Sequence, residues 1–470
     1  MGSRVVLLLA LAGCSLAPRY TRPEAPVGSA WPASAWPASE GPGSAGLAAE
    51  GSVTAGTAAD LGWRARFGDP RLQALLATAL ENNRDLRVAA LNIERARALY
   101  RIQRADLLPE VGAVASAAFT NPDAPGAPVG TYYQVGLQLS YEIDFFGRIR
   151  SLKDAALAEY LATEEAARSA QIGLVAEVAS AYLAERAYAE QLDIARRSLV
   201  AREASYELDR QRFDAGVSSE LDLRQSETLV ESARVSVASL ARGRAQAENA
   251  LTLLAGAALA DLPAAVPLAD QSVGGDLDVG VPSTVLLARP DILAAEQRLR
   301  GAHADIGAAR AAFFPRISLT AALGTASGDL LGLFGGGAGV WSFVPMLTQP
   351  IFAYGQNRAN LQVAKVDREI ALAVYERTIQ VAFREVADAL VARETLDAQV
   401  IAQERLRAAE ARRLELADQR YKAGASSHLE RLDAERSLFD AERALILARQ
   451  LRLANAVDLY AALGGGVGEE

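Results

Sequence analysis

The chain has 470 residues, of which 51% are hydrophobic, 6% aromatic and 22% charged. Its apolar share is mostly Ala, Leu and Val, a mixture that favours long helices over a sandwich or a disordered chain. One cysteine excludes an intrachain disulfide or a Cys-based zinc cluster, two histidines argue against a His-rich metal site, and a formal charge of −9 gives no reason to expect nucleic-acid binding.

Residues 1–13 read as a signal peptide, with Arg4 as the basic start and Val5 to Leu11 as the apolar stretch. Leu11-Ala12-Gly13-Cys14 resembles a bacterial lipobox, so Cys14 is the expected lipidation site, with acyl (palmitate-type) chains anchoring a lipoprotein without spanning the bilayer. Ser15 rather than Asp follows, which by bacterial sorting rules favours the outer membrane. No later apolar run reaches the roughly 18 residues a membrane helix needs. Residues 14–62 are rich in Pro, Gly, Ala and Ser and read as an extended tether or strap. Trp31, Trp36 and Trp63 are expected to pack on the body of the protein, the alternative being a flexible spacer.

The remainder contains two copies of one unit, 63–256 and 283–464, joined by a linker at 257–282 and followed by a tail at 465–470. Asn83-Arg84-Asp85-Leu86 is echoed by Arg289-Pro290-Asp291-Ile292, and Arg212-Phe213-Asp214-Ala215-Gly216 by Arg420-Tyr421-Lys422-Ala423-Gly424. Each copy opens with a helical run, 71–108 or 283–312, ended by Pro109 or Pro315. Strands are expected at about 111–119, 131–143, 316–325 and 340–352. The second is the clearest: Tyr133, Val135, Leu137, Leu139, Tyr141 and Ile143 alternate with polar residues or glycine. From Gly147 to Ala215 there is no proline and one internal glycine, and from Gln356 to Ala423 there is neither. Each stretch predicts a helix of about 65 residues, roughly 100 Å long. Turns at Gly216 and Gly424 lead into helices of about 37 residues. In the first of these Leu229, Ala233, Ser236, Leu240, Gly243, Ala247, Ala250 and Leu254 follow coiled-coil spacing.

The few aromatics gather around the strands, and Phe119, Tyr133, Tyr141, Trp341 and Phe343 are expected to form a membrane girdle. Four strands cannot close a barrel, and lipid tolerates no open strand edge. Membrane strands in this chain therefore require a ring of identical subunits; spacing alone allows eight, twelve or sixteen strands. A soluble four-stranded sheet is the alternative.

The ordered set Cys14-Ser15-Leu16-Ala17-Pro18, Phe67-Gly68-Asp69-Pro70, Asp144-Phe145-Phe146-Gly147-Arg148, Gln349-Pro350-Ile351-Phe352 and Leu429-Glu430-Arg431-Leu432-Asp433 resembles the outer-membrane factor family of TolC-like exit ducts, in particular its lipoprotein branch associated with RND-type drug efflux and antibiotic resistance. The resemblance implies a mainly α fold with a membrane β-barrel, each repeat running helix–strand–strand–long helix–helix. It implies a homotrimer with a 12-stranded β-barrel and a 12-helix α-barrel. The implied partners are a periplasmic adaptor, an inner-membrane RND-type transporter and outer-membrane lipid. It also implies a periplasmic gate at Leu429, Glu430, Asp433 and Arg436, with Tyr421 as a latch between neighbouring helices. The turns around Gly216, Ser218, Ser219, Gly424, Ser426 and Ser427 are expected to meet the adaptor; from the residues alone, the serines read as helix N-caps.

No nucleophile elbow, P-loop, dinucleotide fingerprint or zinc motif is present in the sequence. The expectation is a passive duct with no enzyme activity, cofactor or metal, and His303 and His428 are read as structural or solvated. Drug efflux is the leading function, with type I protein secretion or metal efflux as alternatives. A periplasmic coiled-coil adaptor or scaffold lipoprotein is the reading from another class.

Overall fold

A computed structural model describes residues 16–28, 31, 62–120, 130–273 and 286–465. Cys14 and Trp36 lie outside the described residues. The elements in chain order are α1 (Trp63–Arg66), α2 (Pro70–Asn82), α3 (Arg84–Ala105), β1 (Glu110–Thr120), β2 (Gly130–Ile143), α4 (Arg148–Asp214), α5 (Glu220–Ala255), α6 (Pro290–Ala311), β3 (Arg316–Ser327), β4 (Gly339–Thr348), α7 (Gln356–Lys422) and α8 (His428–Ala462). The helices α4 and α7 are each 67 residues without interruption. The chain divides into two units, one of residues 1–25, 90–166 and 291–378, the other of 26–89, 167–290 and 379–470.

The first unit holds a four-stranded antiparallel sheet in the order β1-β2-β3-β4. Register sets its two faces. Tyr141 pairs with Leu319, Leu139 with Ala321 and Leu137 with Leu323, while Leu323 and Ala321 pair with Trp341 and Phe343. These side chains share a parity, so one face is continuously apolar, whereas Gln134, Gln138, Ser140, Glu142, Ser318 and Thr320 occupy the other. Gly136 and Gly324 face each other at the centre, where a Cβ on either would lie 2.6 or 2.2 Å from a carbonyl oxygen of the opposite strand. The outer edges of β1 and β4 have no strand partner among the described residues. The fourth strand ends at Thr348 rather than near 352, where it pairs with Arg316, the first residue of its only described neighbour β3. The exit into α4 is fixed by Asp144, whose carboxylate accepts from the Ile149 and Arg150 N–H groups at 3.0 and 2.9 Å.

The same unit pins the strap. Glu296 on α6 has a buried carboxylate that accepts from Tyr20 Oη at 2.9 Å, Arg22 Nη2 at 2.6 Å and Arg300 Nη2 at 2.7 Å. Burial alone would raise its pKa, but these bonds outweigh burial and hold it below the usual carboxylate range. Tyr20, half-buried against this carboxylate, has its pKa pushed up to about 12 by that burial and by its bond to Glu296. Ala17 lies so close to α6 that a Cβ on Gly307 would come within 2.9 Å of its Cα.

The second unit contains the main core. Trp63, Phe67, Leu72, Leu75 and Leu76 pack with Val175, Val178, Tyr182 and Leu183 of α4, Val386 of α7, and Val457 and Tyr460 of α8. Asp69 organises the entry: one oxygen caps α2 through Arg71 N at 2.8 Å, the other accepts from Tyr182 Oη at 2.6 Å and Gln271 Nε2 at 2.5 Å. Trp31 stacks on Phe383 with centroids 5.0 Å apart, and Trp63 is buried, as expected of both.

The expected helix 71–108 is broken at Asn83, which takes an extended conformation. Its side chain accepts from Leu86 N at 2.9 Å and donates to Leu254 O at 2.9 Å, at the end of α5. The second copy repeats the joint with other chemistry: Arg289 donates to Ala462 O at 2.7 Å and to Glu385 at 3.0 Å. The buried seam of α5 also departs from the expected one. It runs through Leu223, Ser226, Val230, Ala233 and Leu240, then Leu251 and Ala255. It keeps the expected Ala233 and Leu240; Leu229, Ala250 and Leu254 give way to their next residues and Ser236 and Ala247 fall outside it, while Gly243 lies against the Tyr188 ring, 2.7 Å from where its Cβ would be.

Candidate functional site

Both helix turns lie in the second unit and are built alike. Gly216 and Gly424 adopt φ of 74° and 75°, and the residues after them donate back to Arg212 O and Arg420 O at 2.9 and 2.8 Å. This Schellman-type closure satisfies the last carbonyls of α4 and α7. The next helices start at caps. The Ser219 hydroxyl accepts from Asp222 N at 3.2 Å while Asp222 accepts from Ser219 N, a complete capping box. Ser427 accepts from Glu430 N at 3.3 Å. Ser218 and Ser426 do not cap; their hydroxyls are buried without a hydrogen-bond partner.

The two turns differ in side chains. In the first, the Asp222 carboxylate is committed to the cap, which lowers its pKa. In the second, the charged residues pair between α7 and α8 and, for Asp433 with Arg436, within α8. Asp433 accepts from Arg413 Nη2 at 2.6 Å and from Arg436 Nη2 at 2.7 Å, and Glu430 lies 3.4 Å from Arg420. These side chains are half-exposed or exposed, so each pair is worth no more than about 1 kcal/mol and is screened by salt. Leu429 is 58% exposed at the start of α8. The arrangement joins two helices by contacts weak enough to break without unfolding either.

Tyr421 sits where α4, α7 and α8 meet. Its hydroxyl accepts from Arg212 Nη1 at 2.6 Å, and the guanidinium groups of Arg212 and Arg431 lie 5.7 and 5.5 Å from its ring centroid. The His428 ring packs on Tyr421 at 5.2 Å. His428 Nε2 is 3.3 Å from Asp209 Oδ2, which also accepts from the Ser226 hydroxyl. His428 is therefore structural and buried. Asp209, Ser226 and Arg413 complete the site, although no motif in the sequence marks them, together with Arg212, which opens the repeated turn motif. Burial, the largest influence, lowers the His428 pKa; Asp209 opposes it, Arg431 adds to it, and Asp222 and Arg212 act weakly in opposite senses.

Of the expected girdle, Phe119, Trp341 and Phe343 are exposed at 74, 77 and 58% on sheet strands. Tyr133 and Tyr141 are half-buried, and Tyr133 meets Phe119 edge-on at 6.2 Å. Among the described residues no cluster of His, Cys, Asp and Glu could hold a metal.

A family model described as outer membrane efflux protein matches residues 75–257 and 281–465. The toluene efflux pump outer membrane protein TtgF of Pseudomonas putida is 47% identical over 475 residues, spanning 98% of this chain and 96% of the relative. The outer membrane protein OprJ of Pseudomonas aeruginosa is 46% identical over 474 residues, spanning 99% and 95%. The open state of the Neisseria gonorrhoeae MtrE outer membrane channel has a TM-score of 0.86 at 43% identity, covering 97% of this chain and 99% of that one.

Proposed function

The chain belongs to the outer membrane efflux protein family, and from that membership we propose that it is the outer-membrane exit duct of a tripartite efflux pump, carrying small toxic compounds from periplasm to exterior. The observation that carries the reading is the open sheet: one face apolar, the other richer in polar residues, with neither outer edge paired among the described residues. Only edge-to-edge closure with further copies satisfies such a sheet in lipid. Three copies give twelve strands. The exposed Val88, Leu91, Leu99 and Ile102 of α3, a helix with no buried residue, fit a wall shared with a neighbouring subunit.

In this reading the duct is passive and catalyses nothing. Cys14 carries the lipid anchor, the helices form the periplasmic tunnel, and the caps at Ser219 and Ser427 present the turns to a periplasmic adaptor, which links the duct to an inner-membrane RND-type transporter. Relatives named for toluene, solvent and antibiotic efflux point to small apolar and amphipathic cargo. The gate is the second turn. A threefold ring of Leu429 narrows the path, and rings of Glu430 and Asp433 favour cations. Arg413 and Arg436 hold Asp433 in place, and Tyr421 latches the helices through Arg212. The test is single-channel recording of the Glu430→Ala, Asp433→Ala double variant in planar bilayers. Higher conductance or a weaker cation preference is expected; unchanged conductance and selectivity would sink the gate.

A further inference from the structure

A cavity of about 330 Å³ lies in the first unit, lined by Pro18 of the strap, Ile306 and Arg310 of α6, and Gln362, Lys365, Val366, Arg368 and Glu369 of α7. Three of these residues are cationic and one is acidic. Glu369 is already held by Arg368. Arg310 donates one nitrogen, Nη1, to Leu16 O at 2.9 Å and so fixes the strap over the cavity. Lys365 makes no ion pair or hydrogen bond among the described residues, and Arg368 Nε is buried with no hydrogen-bond partner. With Arg368 paired to Glu369, Arg310 and Lys365 are the two lining cations that no lining carboxylate compensates. Next to the cavity, His303 is held below its ordinary pKa by burial first and by Arg368 second, while Glu369 opposes them.

The position is equally specific. Arg310 is one residue from the end of α6 and six residues before the first residue of β3. Leu16 is two residues from Cys14 in sequence, a covalent reach of about 7 Å. If the sheet spans the membrane, as the duct reading has it, the cavity opens at the depth of the inner-leaflet headgroups. The chemistry there fits a phosphate: Arg and Lys donors, an apolar floor of Ile306 and Val366 for glycerol carbons, and one carboxylate already neutralised. The diacylglyceryl group on a lipidated cysteine carries no phosphate, so it leaves these cations unsatisfied.

We propose that this cavity binds the phosphate group of a non-covalent anionic glycerophospholipid of the inner leaflet, seating the strap and α6–α7 at the membrane surface. The phosphate assignment stands on the lining residues; the lipid source rests on the duct reading. The experiment is native mass spectrometry of the acylated full-length protein, released from detergent after incubation with dioleoyl phosphatidylglycerol, or with dioleoylglycerol as a phosphate-free control. Phosphatidylglycerol is expected to be retained and dioleoylglycerol lost. Lys365→Gln, Arg368→Gln should weaken retention about tenfold or more, given what charge-assisted hydrogen bonds contribute. Lys365 is exposed, so Lys365→Gln alone serves if the double variant misassembles, with a smaller loss in the same direction. Equal retention by the variants, or equal retention of the two lipids, overturns the site. Displacement of phosphatidylglycerol by millimolar inorganic phosphate overturns the lipid source. Single-channel conductance of the unmodified protein tests the duct separately.

Discussion

His428 shows how a residue at a turn can tie stability to pH. Its neutral ring fits between Asp209, Tyr421 and Arg431, and its pKa is lower in the folded chain than in the unfolded one. Above the ordinary histidine value of about 6.5, both states are neutral and the group contributes no pH dependence. Below it, the unfolded chain binds a proton that the folded one resists, so stability falls until the folded pKa is passed. Thermal unfolding of the purified protein should show a melting temperature that drops between pH 7 and pH 5, and the drop should be shallower in His428→Gln. A parallel drop in both would remove His428 as the cause. The residue was visible in the sequence, but its partner Asp209 was not. The two are brought together only by packing of α4 against α8, and no spacing rule connects positions so far apart. The acidic and basic residues of α8 were easier to read, because positions three apart on a helix are neighbours, and Asp433 with Arg436 is such a pair.

At the level of elements, glycine and proline carried most of what could be read. The absence of proline over 67 residues yields the continuous helices α4 and α7, and alternation in β2 anticipates its apolar face. Pattern was silent where a side chain replaces a backbone bond. The break at Asn83 leaves no mark in the pattern, because its amide compensates for the lost helical turn by bonding Leu254 O. The glycines themselves separate two costs. Gly424 has φ +75° with open space around its missing Cβ, so Gly424→Ala should cost only the left-handed penalty of about 1–2 kcal/mol. Gly256 has φ +67°, and a Cβ there would sit 2.3 Å from Asn82 O. Gly256→Ala should therefore destabilise clearly more, because the clash is with backbone that cannot rotate aside. Denaturant midpoints of the two variants give the comparison, and equal losses would show that the α2–α3 break is compliant.

For the whole molecule, the sequence revealed the duplication, the strands and the need for partners along the sheet edges. It could not choose among eight, twelve and sixteen strands, since a strand's pattern records which face is buried and not how many copies close the ring. The choice of twelve belongs to the proposed assembly of three copies. In the proposed assembly, a photo-crosslinker at Ser219 or Ser427 should capture the adaptor in intact cells, while one at Phe334, in the β3–β4 loop, should not. Capture only at Phe334 would reject the assignment of the turns as the docking end.

The two turns also bear on symmetry. Their backbones are near-copies, with glycine φ angles of 74° and 75°, so a ring of three chains would look sixfold to anything that reads only the main chain. Their side chains break that equivalence, because Asp222 is absorbed by its own cap while Asp433 is shared between α7 and α8. A docking protein that grips the shape of the turns could bind six times, whereas one that reads charge would find three sites of each kind. In the proposed trimer, duplication followed by unequal drift gives one sequence two stoichiometries, six turns alike in backbone and three of each kind in charge.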